Sequence, residues 1–268
     1  MKKLLIAGCG DLGERLARRL DPKHWQVHGL RRNPSCLPAG IVPIGADLLA
    51  PDSLQSVRGD WDGIIYQATP AGRTAEAYEA AYIKGLSNLL DQTHTARLIF
   101  VSSTGVYGQD DGAWVDEDAE TRPSSFSGRI LCAAEQIAHD HGGLVVRFSG
   151  IYGPGREYLI RSVQSGRARC RETPPQWTNR IHAEDCAAVL AHLLTLPSPA
   201  PVYCASDDRP VPRCEVLDWL ATQLGVAPPQ RDPTLSGQGK RVANQRLVSS
   251  GFSFQYPDYL SGYRELLS

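Results

Sequence analysis

Three glycines near the N-terminus, Gly8, Gly10 and Gly13, decide more about this chain than anything else in it. They follow the apolar run Leu4-Leu5-Ile6-Ala7. They precede Glu14-Arg15-Leu16-Ala17-Arg18-Arg19-Leu20, whose apolar residues recur at helical spacing. The pattern predicts a strand, a glycine turn and a helix. In that setting Gly8 permits the tight turn, Gly10 lets the backbone approach a pyrophosphate, and Gly13 lets the helix pack closely on the strand. Asp11 and Leu12 open the helix, whose unbonded N–H groups would face the phosphates. Gly8, Gly10, Asp11, Leu12 and Gly13 are therefore the expected pyrophosphate-side residues of a dinucleotide site.

A chain of 268 residues that is 42% hydrophobic can bury a large core, either as one α/β domain or as a domain with a smaller lobe. Its net charge is −1, and its positive residues are spread along the chain, so no nucleic-acid partner is expected. The seven cysteines are odd in number and show no CxxC spacing, which predicts reduced thiols and a cytoplasmic protein. Cys9 reads as a small residue filling the turn. The apolar run at the N-terminus is too short for a secretory signal or a membrane span, so no membrane partner is expected. His139 and His141 have no third ligand at matching spacing, and no metal is predicted.

Along the chain, strands and helices alternate. Trp25–Leu30, Ile64–Tyr66, Leu98–Val101, Leu144–Phe148 and Val202–Cys204 read as strands, and Ala77–Asp91, Ala183–Leu196 and Cys214–Leu224 as helices. Such alternation favours a mostly parallel sheet covered on both faces. From Asp207 onward Pro, Gly and polar turn signals become frequent, as in a small lobe.

Four further strings occur in order: Val101-Ser-Ser103-Thr-Gly-Val-Tyr107-Gly108, Arg147-Phe-Ser-Gly-Ile-Tyr152-Gly-Pro-Gly155-Arg156, Asn179-Arg-Ile-His182-Ala-Glu-Asp185 and Gly239-Lys-Arg241-Val-Ala-Asn244. With the glycine turn, they make the chain resemble the extended short-chain dehydrogenase/reductases, in their atypical epimerase/dehydratase-like branch. The resemblance covers nearly the whole chain. It implies a doubly wound, mostly parallel Rossmann sheet with a smaller C-terminal lobe on the substrate side. The expected division is 1–149 plus 181–205 for the dinucleotide-binding domain and 150–180 plus 206–268 for the lobe.

The family's chemistry uses a Ser or Thr with a Tyr and a Lys four residues apart on one helix face. Lys lowers the phenol's pKa, Tyr moves the proton, and Ser positions the substrate oxygen. Ser103 occupies the Ser/Thr position. Matching Glu135 to the family's downstream Glu puts Ser127 in the Tyr position and Leu131 in the Lys position. The five lysines (Lys2, Lys3, Lys23, Lys84, Lys240) include none four residues after a tyrosine, so the pair is absent everywhere. A tyrosine titrates near about pH 10 and a lysine can lower that, whereas a serine is a far weaker acid and Leu131 brings no charge. Ser103 and Ser127 remain the catalytic candidates, and ordinary tyrosine-driven hydride transfer is not expected. Tyr82 stands where the family has Asn. Asp116 and Glu117 are the carboxylates to weigh as a replacement acid or base, Arg129 and Arg156 as anion contacts, and Asp185 as a structural contact.

The residues after the second strand are Arg31-Arg32-Asn33, with no carboxylate for a ribose 2′-hydroxyl, which favours NADP over NAD. Asp47 and Leu48 match the family's adenine-side segment, and Ala68, Thr69 and Pro70 follow the fourth strand where cofactor contacts lie. The resulting expectation is an oxidoreductase-like enzyme on a small polar or nucleotide-sugar-like substrate, the alternative being a sensor that holds NADP without turnover.

Overall fold

The computed structural model describes residues Met1–Ser268. The chain runs β1 (Lys2–Ala7), α1 (Asp11–Arg19), β2 (Trp25–Arg31), β3 (Ile41–Gly45), β4 (Gly63–Tyr66), α2 (Ala75–Glu79), α3 (Gly85–Leu90), β5 (Leu98–Ser103), α4 (Phe126–Asp140), β6 (Leu144–Phe148), α5 (Tyr158–Gln164), α6 (Ala183–Thr195), β7 (Val202–Ala205), α7 (Arg213–Leu224), α8 (Gln245–Ser249) and α9 (Tyr259–Leu267). Short turns and minor strands connect them.

The seven strands form one sheet in the order β7-β6-β5-β4-β1-β2-β3. From β3 to β5 every pairing is parallel, with Leu4 opposite both Val27 and Gly63. Helices cover such strands on both faces, so they read as unbroken apolar runs rather than alternating ones. Leu4 to Ala7 and Ile64 to Tyr66 are accordingly fully buried. β3 closes one edge, where Pro43 costs no inner ladder bond. The chain leaves β1 toward β2 and β3, then returns to β4 on the other side of β1. That reversal puts a crevice at the carboxyl ends of β1 and β4, the usual ligand position in open α/β sheets.

The helix expected over Ala77–Asp91 begins instead at Ala75, where the Thr74 hydroxyl accepts the Ala77 N–H, and a π turn over Ala80–Lys84 divides it. A π turn packs one extra residue per turn and is frequent at functional sites. Periodicity alone does not register it. A buried network fixes α4. Ser102 donates to Glu135 (2.5 Å), and Glu135 pairs with Arg147 at 2.7 Å, both side chains being almost fully covered. A buried ion pair of this kind survives because hydrogen bonds occupy the remaining carboxylate capacity.

Two compact units divide the chain. The first holds Met1–Val106, Thr121–Arg147 and Ala187–Tyr203; the second holds Tyr107–Glu120, Phe148–Cys186 and Cys204–Ser268. The second has its own apolar cluster, including Tyr152, Ile160, Val163, Val216, Leu217, Leu220, Tyr259 and Tyr263. Within it Cys170 and Cys214 form a disulfide, with Cα atoms 5.3 Å apart. This corrects the expectation of seven reduced thiols. The two cysteines are 44 residues apart, and only the packing of α7 against the Arg169–Cys170 strand brings them together. The other five are free. No helix is long and apolar enough to cross a membrane.

Candidate functional site

The glycine turn is built from backbone geometry. Gly8 has φ of +78°, and a Cβ there would lie 2.5 Å from the Ala68 Cα, so both conformation and space exclude a side chain. A Cβ on Gly13 would meet the Gln67 side chain at 2.6 Å and Cys9 Sγ at 2.9 Å, which is the close helix-on-strand packing the motif requires. Gly10 differs. A Cβ there would meet only the Gly8 carbonyl at 4.0 Å, so the room above the turn is open. No side chain caps α1, whose N-cap is Gly10, and its first N–H groups remain available to an anion. Cys9 is buried, which pushes its thiol pKa up to about 12 and keeps it protonated.

A cavity of about 410 Å³ opens over this turn, within the range of small-molecule sites. Its walls come from Gly8, Cys9 and Gly10, from Leu30 to Asn33, from Ala46 to Leu49, and from Ala68, Thr69 and Ala71. Ala77, Ala80 and Ala81 close it, the last two belonging to the π turn. Of the residues expected from sequence, Gly8, Gly10, Arg31, Arg32, Asp47, Leu48, Ala68 and Thr69 line it. Asp11 lies outside, bonded to Arg15 Nε at 2.8 Å, as do Leu12, Gly13 and Pro70. Sequence reasoning missed Asn33 and Leu49, and it missed Ala71, Ala77, Ala80 and Ala81, which carry no motif signal because they serve only by being small.

The cavity's positive charge comes from Arg31 and Arg32, at the end of β2, and neither guanidinium is engaged in a hydrogen bond or ion pair within the chain. Asp47 Oδ1 accepts the Leu49 N–H at 2.9 Å, which shapes the turn and leaves its other oxygen for a ligand donor. These features fit a dinucleotide. Backbone and small residues would surround a pyrophosphate over the glycine turn, and the unpaired Arg31 and Arg32 would stand at its ribose end.

The catalytic candidates sit where β5 and α4 meet. Ser103 ends β5, and its hydroxyl oxygen accepts the Gly105 N–H at 3.1 Å, leaving its own proton free to donate. A Cβ on Gly128, in the first turn of α4, would lie 2.6 Å from the Gly105 carbonyl, so that turn packs against the loop after Ser103. Ser127 is half-buried in the same helical turn and donates to the hydroxyl of Ser125, the helix cap, at 3.2 Å. Leu131 is buried on α4's inner face with Ala134 and Ala138.

The buried tyrosines are weakened as acids. Burial raises the phenol pKa of Tyr82 to about 12, and it raises those of Tyr66 and Tyr152 as well. Tyr82 packs against Tyr78 and Phe100. The acidic run belongs to the second unit's framework. Asp116 caps the Asp118 and Ala119 N–H groups, while Glu117, raised by burial, accepts the Cys204 N–H at 2.7 Å and faces Arg246 at 3.7 Å. Asp185 holds the Gln255 and Tyr256 N–H groups. Arg129 donates to the Ser124 carbonyl on the helix surface.

A second cavity, of about 250 Å³, lies inside the second unit, and of its lining the sequence singled out only Arg156, as an anion contact. Three arginines line it, Arg156, Arg180 and Arg213, together with Asn179, Tyr152 and Tyr263. Arg180 is 4% exposed; its Nη2 donates to Thr178 Oγ1 at 2.6 Å, and its Nη1 is buried with no partner. An unpaired buried guanidinium nitrogen is costly, and the three arginines give the cavity a positive lining that suits an anion.

The sheet order and the glycine cradle define an α/β protein of the Rossmann type. The family model "NAD dependent epimerase/dehydratase family" matches residues 4–203, and the chain belongs to that family. It is 30% identical to Protein YeeZ of Escherichia coli (strain K12) over 97% of this chain and 98% of that protein. A solved structure from Methylobacillus flagellatus, proposed to be an NAD-dependent epimerase/dehydratase, is 40% identical with a TM-score of 0.86, covering 99% of this chain and 97% of its own. The fold also matches MoeE5 in complex with UDP-glucose and NAD, at 22% identity and a TM-score of 0.79, over 99% of this chain and all of that one (100%).

Proposed function

We propose that the protein is an NADP-binding member of its family that acts on a small polar substrate carrying an anionic group, such as a nucleotide-sugar-like compound. The observation that carries the cofactor half is the open room at Gly10 facing the unpaired Arg31 and Arg32. A 2′-phosphate would pair with them by charge-assisted hydrogen bonds. The substrate half rests on the three-arginine cavity, which at about 250 Å³ suits the charged end of a ligand rather than a whole one. When bound, the nicotinamide would supply hydride exchange at its C4.

The chain's own residues would contribute positioning more than proton transfer. Ser103 offers its hydroxyl proton to a substrate oxygen. Ser127 and Leu131 supply neither a proton of useful acidity nor a charge. That deficit favours a second reading, an NADP-holding sensor without turnover. NADPH oxidation over a panel of carbonyl compounds and nucleotide sugars, by wild type and Ser103→Ala, separates the two. An enzyme shows turnover that the variant lowers. A sensor binds NADPH saturably and oxidises none. Failure of NADPH to bind overturns both.

A further inference from the structure

The second unit buries the Asp207 carboxyl within electrostatic reach of Arg180, a residue of the cavity wall, and the two side chains do not bond. Asp207 is 1% exposed, and its backbone N–H donates to the Arg180 carbonyl at 2.7 Å. Its Oδ1 accepts the Arg209 N–H at 3.2 Å, while its Oδ2 is buried without a partner. Arg180 mirrors it, with Nη2 spent on Thr178 and Nη1 unpartnered. Two buried groups of opposite formal charge, adjacent through the backbone, each keep one polar atom empty. If both were charged and nothing else entered, mutual pairing would be the cheapest way to satisfy them.

We propose that Asp207 is the internal competitor for Arg180, so that the cavity's anion and a proton on Asp207 are held together. This rests on the anion-site reading above. With Asp207 neutral, the Arg180 charge is uncompensated and draws an anion into the cavity. With Asp207 ionised, the counter-charge is already inside the protein, and a second negative group would be repelled. Binding at alkaline pH therefore requires one proton to pass from solvent to the Asp207 carboxylate.

The electrostatics agree. Burial, the largest influence, with smaller pushes from Asp208 and Asp258, raises Asp207 to about 8 against the pull of Arg180 and the Arg209 N–H. The remaining groups facing it are the phenols of Tyr152 and Tyr263, both raised by burial and neutral across the same range. The sign follows. Below about pH 8 the carboxyl is protonated and the site is open to anions; as pH rises through that value the site closes.

Sulfate is the probe, because it keeps its charge from about pH 6 to about pH 10 and any pH dependence belongs to the protein. Wild-type affinity should be flat on the acid side, then fall by up to about tenfold per pH unit above the midpoint, the limit for one linked proton. Asp207→Asn should bind sulfate with the acid-side affinity at every pH, and Arg180→Gln should lose it throughout. A wild-type affinity that stays flat, or a fall that persists in Asp207→Asn, overturns the proposal while leaving the anion site standing. Sulfate binding at no pH overturns the anion site as well. Carboxyl-detected NMR of the ligand-free protein gives an independent reading. The Asp207 resonance should titrate near neutrality or above, with its midpoint moving up in Arg180→Gln. A midpoint in the ordinary carboxylate range, or one that ignores Arg180, overturns the coupling.

Discussion

The two cavities are made of different materials. The first, over the glycine turn, is walled by main chain and by small side chains, and much of its shape comes from segments close in sequence, above all Gly8 to Gly10. The second is lined by side chains from separate parts of the chain, among them Arg156, Arg180, Arg213 and Tyr263. A site built from backbone must be written as a local motif, because particular φ values and the absence of a Cβ are needed at fixed positions. A site built from side chains needs only the right residue at the end of each element.

The difference is sharpest at Gly8. Gly8→Ala should cost roughly 2–6 kcal/mol, combining strain at positive φ with overpacking against the Ala68 backbone. Thermal unfolding would show it as a large fall in Tm together with lost NADPH binding. Gly10→Val should keep a wild-type melting curve and still lose NADPH, because its side chain enters only the ligand's space. If Gly10→Val unfolds the protein, the first cavity is not the open cradle described.

The second unit should respond to the loss of a long-range tie. Replacing both Cys170 and Cys214 with Ala removes a link between residues 44 apart, worth about 4 kcal/mol by loop-closure entropy. Denaturant unfolding should register that loss while NADPH titration stays unchanged. Equal stability of wild type and double variant would show that α7 holds its place without the bridge.

A charge change in the first cavity should act on ligand choice rather than on stability. Arg31→Asp should reverse a preference for NADPH over NADH, through contacts worth about 1.5–3 kcal/mol, or roughly one to two decades in affinity. A wild type that already favours NADH would reduce the arginines to solvated surface. The smallest effect belongs to Ser127→Ala, about 0.5 kcal/mol or less, since Ser125 caps the helix and the half-buried Ser127 bonds only to that cap's hydroxyl. A large drop in NADPH turnover in that variant, with stability unchanged, would instead give Ser127 a part in chemistry.

Most of the sheet was legible because its strands are buried on both faces and stand out as apolar runs. β3 was not, since Pro43 breaks its run at a solvent-facing edge. The π turn escaped because it keeps the apolar character of a helix while adding one residue, and that addition delivers Ala80 and Ala81 to the cavity. Asp116 and Glu117 looked like available acids, but only their packing reveals that backbone N–H groups already occupy them.

By itself the sequence determined the glycine turn, the alternating strands and helices, the family and the absence of a Tyr–Lys pair, all properties of neighbouring residues or of residue identity. The tertiary structure decided the Cys170–Cys214 bridge, the three-arginine cavity and the unbonded pair of Asp207 and Arg180. The physical reason is range. Backbone conformation and hydrophobic period act over a few residues and leave a pattern there. Disulfides and buried charges depend on distances between segments far apart in the chain, which no local spacing records.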